Sequence, residues 1–269
     1  MLGAIIGDIV GSRFEWNNIR KKDFNFFTGE CSTTDDSMMT LALAEALLDT
    51  KNDRSRLSDV AVMRMQQWGR LYPNKGYGGN FFCWLFDDEP MPYNSFGNGA
   101  AMRVSACGFA ARTLEEAKSL SNSVTRVTHN HPEGLKGAEA TAVAIFMAKN
   151  GSSKEEIRQY INEYYYKINF TLDEIRPHYE YDITCQGTVP QALEAFFESE
   201  SFEDAIRNAI SIGGDSDTMG AITGGIAEAY YGIPEDIRTK TMKFFLDAKQ
   251  RETVERFEAV YEQGKIESK

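Results

Sequence analysis

The sequence contains no run of about twenty consecutive apolar residues, which excludes a hydrophobic transmembrane helix. It has no C-x-x-C pair. Its four cysteines, Cys31, Cys83, Cys107 and Cys185, are scattered, which argues against a zinc knuckle and fits reduced thiols in a cytoplasmic protein. Positive charge is also short: 29 Lys and Arg stand against 40 Asp and Glu, for a net charge of −11. A body of that sign repels phosphate backbones, so nucleic acid is not expected as a general partner. One small phosphorylated ligand stays compatible with it where local groups supply the opposite field. Internal repeats, low-complexity tracts and linker-like segments are missing, which leaves a single domain over residues 1–269, expected as a monomer. The opening "MLGAIIGDIVGSRFEW" lacks a basic leader and a convincing cleavage site and carries Asp8, so it reads as a first core helix rather than a targeting segment.

Sustained period-2 alternation is almost absent, and what replaces it is helical. Residues 35–50 place Met38, Leu41, Ala42 and Ala46 at helical spacing behind the capping candidate Thr34. Further helical segments are read at 54–72, 99–112, 113–128, 132–150, 153–166, 189–199, 201–211, 218–233 and 234–263. The pattern predicts an all-α chain, a compact orthogonal multi-helical bundle. The stretch 73–98, rich in Pro, Gly, Asn and aromatics, has no helical period. A loop of that length inside a compact domain is usually functional.

Two acidic clusters stand at helix starts: Thr34-Asp35-Asp36, and Asp215-Ser216-Asp217-Thr218 within "GGDSDTMGAITGG". Each alone reads equally as an N-cap with favourably placed charge. Brought together, they would leave four anions in one place, and such a cluster must protonate or be neutralised by cations. The donors are all hard oxygens, with no paired Cys or His, which suits Mg²⁺ or Mn²⁺ better than Zn²⁺. Four carboxylates and two threonine oxygens suffice for a two-metal site.

Six motifs, "GAIIGDIVGSRFEW", "TTDDSMM", "GYGGNFFCWL", "SFGNGAAMR", "VTHNHPEG" and "GGDSDTMGAITGGIAEAYYG", occur in that order. Together they resemble the ADP-ribosylglycohydrolase family of the dinitrogenase reductase-activating type, over about residues 3–235. The resemblance implies a compact helical fold, two Mg²⁺ or Mn²⁺ ions, and hydrolysis of an N- or O-glycosidic bond at the anomeric carbon of an ADP-ribosyl group on a protein, nucleobase or small molecule. It implies Thr34, Asp35, Asp36, Asp215, Asp217 and Thr218 as metal ligands and Glu15 as an acid for water activation or substrate gating, with Glu15 or one of the aspartates, Asp36 or Asp217, handling the proton. Ser95, Phe96, Gly97, Asn98 and Gly99 match the loop that cradles diphosphate and distal ribose, where glycines let backbone N–H groups approach phosphate and a following helix would add its positive end. Tyr77 and Gly78 match the cleft lining, and His129 a nucleotide contact.

Without the resemblance, Glu15 is a surface acid, Ser95–Gly99 is an Asn-Gly turn, Tyr77-Gly78-Gly79 is a glycine turn, and His129 is a cap or a satisfied core group. Phe96 could stack on adenine or pack in the core. Arg103 is read as structural, and His131 and His178 receive no role. Two other functions share the ligand set: a catalytically silent ADP-ribose-binding protein, and a dinuclear hydrolase cutting another bond, such as the diphosphate. The complete set of six ligands plus Glu15 favours a working glycohydrolase.

Overall fold

Gly3, Gly7 and Gly11 recur every four residues along the first helix and so form a stripe without side chains. They face Gly224, Gly220 and the Ser216–Asp217 backbone of a second helix running the opposite way. A Cβ on Gly7 would stand 1.8 Å from the Gly220 carbonyl oxygen, and one on Gly224 would stand 2.2 Å from that of Gly3. Only glycine permits so close an approach of two helix backbones. This pair is the axis of the molecule.

A computed structural model describes residues 1–261. Every regular element among them is helical: α1 (Leu2–Gly11), α2 (Asp35–Asp49), α3 (Leu57–Leu71), α4 (Gly79–Phe86), α5 (Gly99–Met102), α6 (Ser105–Ala110), α7 (Leu114–Thr125) and α8 (Pro132–Lys149). They continue with α9 (Lys154–Tyr164), α10 (Leu172–Ile175), α11 (Cys185–Phe197), α12 (Phe202–Ser211), α13 (Ser216–Tyr231), α14 (Glu235–Phe244) and α15 (Ala248–Tyr261). The all-α bundle expected from the sequence is the fold observed, one compact domain. Helices α1 and α13 lie at its centre, with α2, α8, α11 and α12 packed around them. The opening segment is a core helix, buried over its whole length.

Local chemistry sets the helix starts. Thr34, Thr113, Ser153, Thr184 and Ser201 each accept a hydrogen bond from a backbone N–H of the first turn they precede, and Ser153 closes a capping box with Glu156. Gly232, at φ 77°, ends α13 in a conformation that side chains resist.

Five segments differ from expectation, the shortest being α10, which Thr171 caps where no helix is read from the sequence. The helix expected over 99–112 is split into α5 and α6 at Arg103–Val104, where ψ rises to −10° and 6°. A four-residue α5 has almost no dipole to offer phosphate, so the expected help from a long helix is lost. The 73–98 stretch contains α4, whose aromatic run "NFFCWLF" hides its period. Helix α11 begins at Cys185 rather than Val189 because Thr184 caps it earlier. The closing helix is broken between Phe244 and Ala248, where Asp247 Oδ1 accepts from Gln250 N–H, and its expected end at 262–263 lies outside the described residues.

Candidate active site

Asp8 projects from α1 and is fully buried. Its carboxylate accepts from Thr34 N–H at 3.0 Å, the Thr34 hydroxyl at 2.7 Å, Ser37 N–H at 3.0 Å and the Ser37 hydroxyl. These bonds fix the mouth of α2, so Asp35 and Asp36 are held at a set distance from α1. The glycine contact between α1 and α13 brings the mouth of α13 to the same place. There Thr218 Oγ1 donates to Asp36 Oδ2 at 3.4 Å, joining the two acidic clusters across 182 residues of sequence. Asn98 Nδ2 donates to Asp215 Oδ2 at 2.7 Å and to Thr188 Oγ1 at 3.1 Å.

Glu15 reaches this centre from the loop after α1. One carboxylate oxygen from each of Glu15, Asp215 and Asp217 can be chosen so that all three lie within 4.8 Å of one another. Two further contacts fix the loop. Asn18 pairs its amide with the Gly214 backbone, donating to its carbonyl and accepting from its N–H, both at 2.8 Å. Tyr181 OH donates to Glu15 Oε1 at 3.2 Å, and its ring stacks on Trp16 with centroids 5.2 Å apart. Gly213 and Gly214, at φ 81° and 76°, shape the turn before Asp215.

All of this opens on one cavity of about 310 Å³. Of the residues singled out from the sequence, Glu15, Asp35, Asp36, Asp215, Asp217 and Thr218 line it on the acidic side. Gly78, Ser95, Gly97, Asn98, Gly99 and His129 line the rest. Thr34 sits behind the wall, bound to Asp8. Tyr77 packs on Phe81 at 6.0 Å, away from the lining, and its buried hydroxyl has no partner among the described residues. Phe96 also lies off the lining, 42% exposed and tilted against His131 at 5.1 Å. Asp8, Asn18, Arg103 and Tyr181 were not singled out as site residues. Asp8 and Arg103 have their places in the first and fourth motifs as signals, whereas Asn18 and Tyr181 take part only through contacts between distant segments.

The electrostatics are those of crowded anions. Burial, with the neighbouring acids Asp8 and Asp215 adding to it, pushes Asp35 up to about 8. Burial and neighbouring carboxylates hold Asp36 and Asp217 well above the usual carboxylate range. Burial also raises Asp8 against the pull of its hydrogen bonds, and Glu15 is raised by burial and then by Asp215. Asp36 Oδ1 is buried with no hydrogen-bond partner among the described residues. An orphaned anionic oxygen amid hard donors from two helix mouths is what a divalent cation would satisfy, so these residues fit one.

An all-helical fold of this kind is also what the comparisons with known proteins find. The sequence profile of the ADP-ribosylglycohydrolase family matches residues 1–265, and the chain belongs to that family. It is 28% identical to the ADP-ribosylarginine hydrolase Tri1 of Serratia proteamaculans, over 86% of this chain and 70% of that protein. It is 25% identical to human ADP-ribosylhydrolase ARH3, over 87% and 85%. A solved structure described as an ADP-ribosylglycohydrolase-related protein complex superposes with a TM-score of 0.71 at 25% identity, covering 97% of this chain and 95% of that one.

Proposed function

We propose that the protein hydrolyses the glycosidic bond at the anomeric carbon of an ADP-ribosyl group, releasing ADP-ribose from its acceptor. The observation that carries this reading is the convergence of the α2 and α13 mouths, with Glu15, on a single cavity that continues into a glycine-rich wall. Two divalent ions, Mg²⁺ or Mn²⁺, would be held by Asp35, Asp36, Asp215, Asp217 and Thr218, while Thr34, expected as a sixth ligand, lies behind the wall on Asp8 and holds the α2 mouth in place. When bound they supply Lewis acidity and offset the crowded negative charge.

The chain's own groups do the rest. Ser95, Gly97 and Gly99 present backbone and small side chains to the diphosphate and distal ribose, leaving room that larger residues would fill. His129 offers a ring nitrogen on the same wall. Asn98 acts through Asp215, orienting that carboxylate. Glu15 stands beside the carboxylates that would grip the scissile ribose, and its raised pKa suits it to accept the proton of the attacking water. Attack passes through an oxocarbenium-like transition state, which neighbouring carboxylates favour by charge.

The test is to incubate the protein with ADP-ribosylated arginine and serine peptides, with Mg²⁺ or Mn²⁺ and again with EDTA. Intact ADP-ribose should appear only with the cation. AMP and ribose phosphate as products would mean that the diphosphate is cut instead, and binding without any product would mean a silent receptor.

A further inference from the structure

Among the described residues Arg103 is the one Lys or Arg side chain lining the cavity, and it is 1% exposed. Its guanidinium lies 5.2 Å over the Phe81 ring and donates to Met65 Sδ at 3.2 Å, to Thr128 Oγ1 at 2.9 Å and to His129 Nδ1. A guanidinium carries donors only, so Nδ1 of His129 must be the acceptor of that bond. The Thr128 hydroxyl lies 2.7 Å from the same nitrogen and can donate to it as well. In a neutral imidazole the proton then sits on Nε2. Among the described residues Nε2 has no protein partner. It faces the glycine wall, 3.6 Å from where a Cβ on Gly97 would stand and 3.5 Å from one on Gly99.

We infer that Arg103 is a positioning residue that holds His129 as its uncharged Nε2–H tautomer, aimed to donate a hydrogen bond to an acceptor oxygen of the ligand's diphosphate or distal ribose. The ligand half of this inference rests on the reading of the cavity as an ADP-ribosyl site; the tautomer half does not. Burial first, and then the Arg103 charge, hold His129 well below the ordinary histidine value of 6.5. The titratable groups around the pair are Tyr93, whose ring is 6.0 Å from His129, Cys185 on α11, and Asp35 and Asp36 on α2. Burial raises both Tyr93 and Cys185, so they stay neutral there. Burial lowers Arg103 to about 10, with Tyr93 and the α2 carboxylates pulling the other way, so it stays charged below that value. A neutral donor of this kind does not change its charge across the range in which a free histidine does, and it needs no counter-ion in an acidic cavity.

The chain has only three histidines, so nitrogen NMR on protein labelled at histidine resolves them, with His131→Gln and His178→Gln identifying the other two. We expect His129 in the Nε2–H form, unchanged from about pH 5 to about pH 8, with the Nε2 proton shifting when ADP-ribose and Mg²⁺ are added. In Arg103→Met the tautomer should become mixed. ADP-ribose binding, followed by calorimetry, should weaken about tenfold and acquire a pH dependence, with bound metal unchanged. Arg103→Lys, which keeps a donor and its charge, should recover part of the loss. An Nδ1–H tautomer in the wild type, or His129 gaining a proton within that pH range, would overturn the positioning role even if Arg103→Met fails to fold. A Nε2 proton that ignores bound ADP-ribose would overturn the ligand half. Failure of ADP-ribose to bind the wild type at all would sink that half together with the proposed function, and the NMR result on the tautomer would be read independently of it.

Discussion

Asp8 and Asp217 are both buried carboxylates, but they hold different things. Asp8 is saturated by four protein donors around Thr34 and Ser37. Asp8→Asn puts an amide donor against those donors, so it should destabilise the protein by about 2–3 kcal/mol in chemical denaturation. Unchanged stability would show that the α2 mouth is set by something else. Asp217 has crowded anions as neighbours, and Asp217→Ala should keep the fold, lower metal occupancy, and cut turnover by at least ~10²-fold. Wild-type rates in that variant would make Asp217 only part of a helix start. At this scale the acidic clusters were legible because a carboxylate pair at two helix starts is unusual in itself. Arg103 was read as structural because its meaning lies in Thr128 and His129, at least 25 residues further along the chain. Asn18 was invisible for the same reason, since its partner Gly214 is 196 residues away.

The element that decides whether the two acidic mouths meet is the α1–α13 pair. Gly7 and Gly220 leave no space between their backbones, so Gly7→Val should force the helices apart. The expected cost is about 3 kcal/mol or more, with weaker metal binding in whatever fraction folds. A variant as stable as wild type would mean that the helices have slack that the structure does not show. The Ser95–Gly99 wall is a milder case. A Cβ on Gly97 would meet Ser95 Oγ at 3.3 Å and His129 Nε2 at 3.6 Å, so Gly97→Val should fold. It should weaken ADP-ribose binding in calorimetry and leave metal content unchanged; undiminished affinity would remove this wall from recognition. Helix identities came through from apolar spacing and caps, most clearly for α2 and α12. The breaks did not. The turn at Arg103–Val104 falls where no Pro or Gly marks a break, and it accompanies the burial of Arg103 against Phe81 and Thr128. Likewise α4 is amphipathic only in its folded setting, where Phe81, Trp84 and Leu85 are buried while Phe82 and Phe86 are exposed.

Over the whole molecule the crowded acids tie stability to pH and to cations. Without metal, Asp35, Asp36 and Asp217 bind protons more tightly folded than unfolded, because their folded pKa values are raised from 3.8. Their contribution is complete below the unfolded value and is lost as pH rises through the folded ones, which for Asp35 is about 8. His129 has the opposite sign: its folded pKa is lowered, so it costs stability only as pH falls below 6.5. Between pH 6.5 and about 8 the acids therefore act without His129, and the melting temperature of EDTA-treated protein should fall across that window. Added Mg²⁺ should raise it, more at the upper end, because the cation replaces the protons. Equal slopes with and without Mg²⁺ would show that the cluster does not bind it.

Which bond breaks is read most directly by hydrolysing an ADP-ribosylated peptide in water labelled with heavy oxygen and locating the label by mass spectrometry of the products. Attack at the anomeric carbon places the label on the ribose of released, intact ADP-ribose and leaves the acceptor unlabelled. Label on a phosphate or on the acceptor would contradict the glycosidic chemistry proposed for the cavity between α2 and α13.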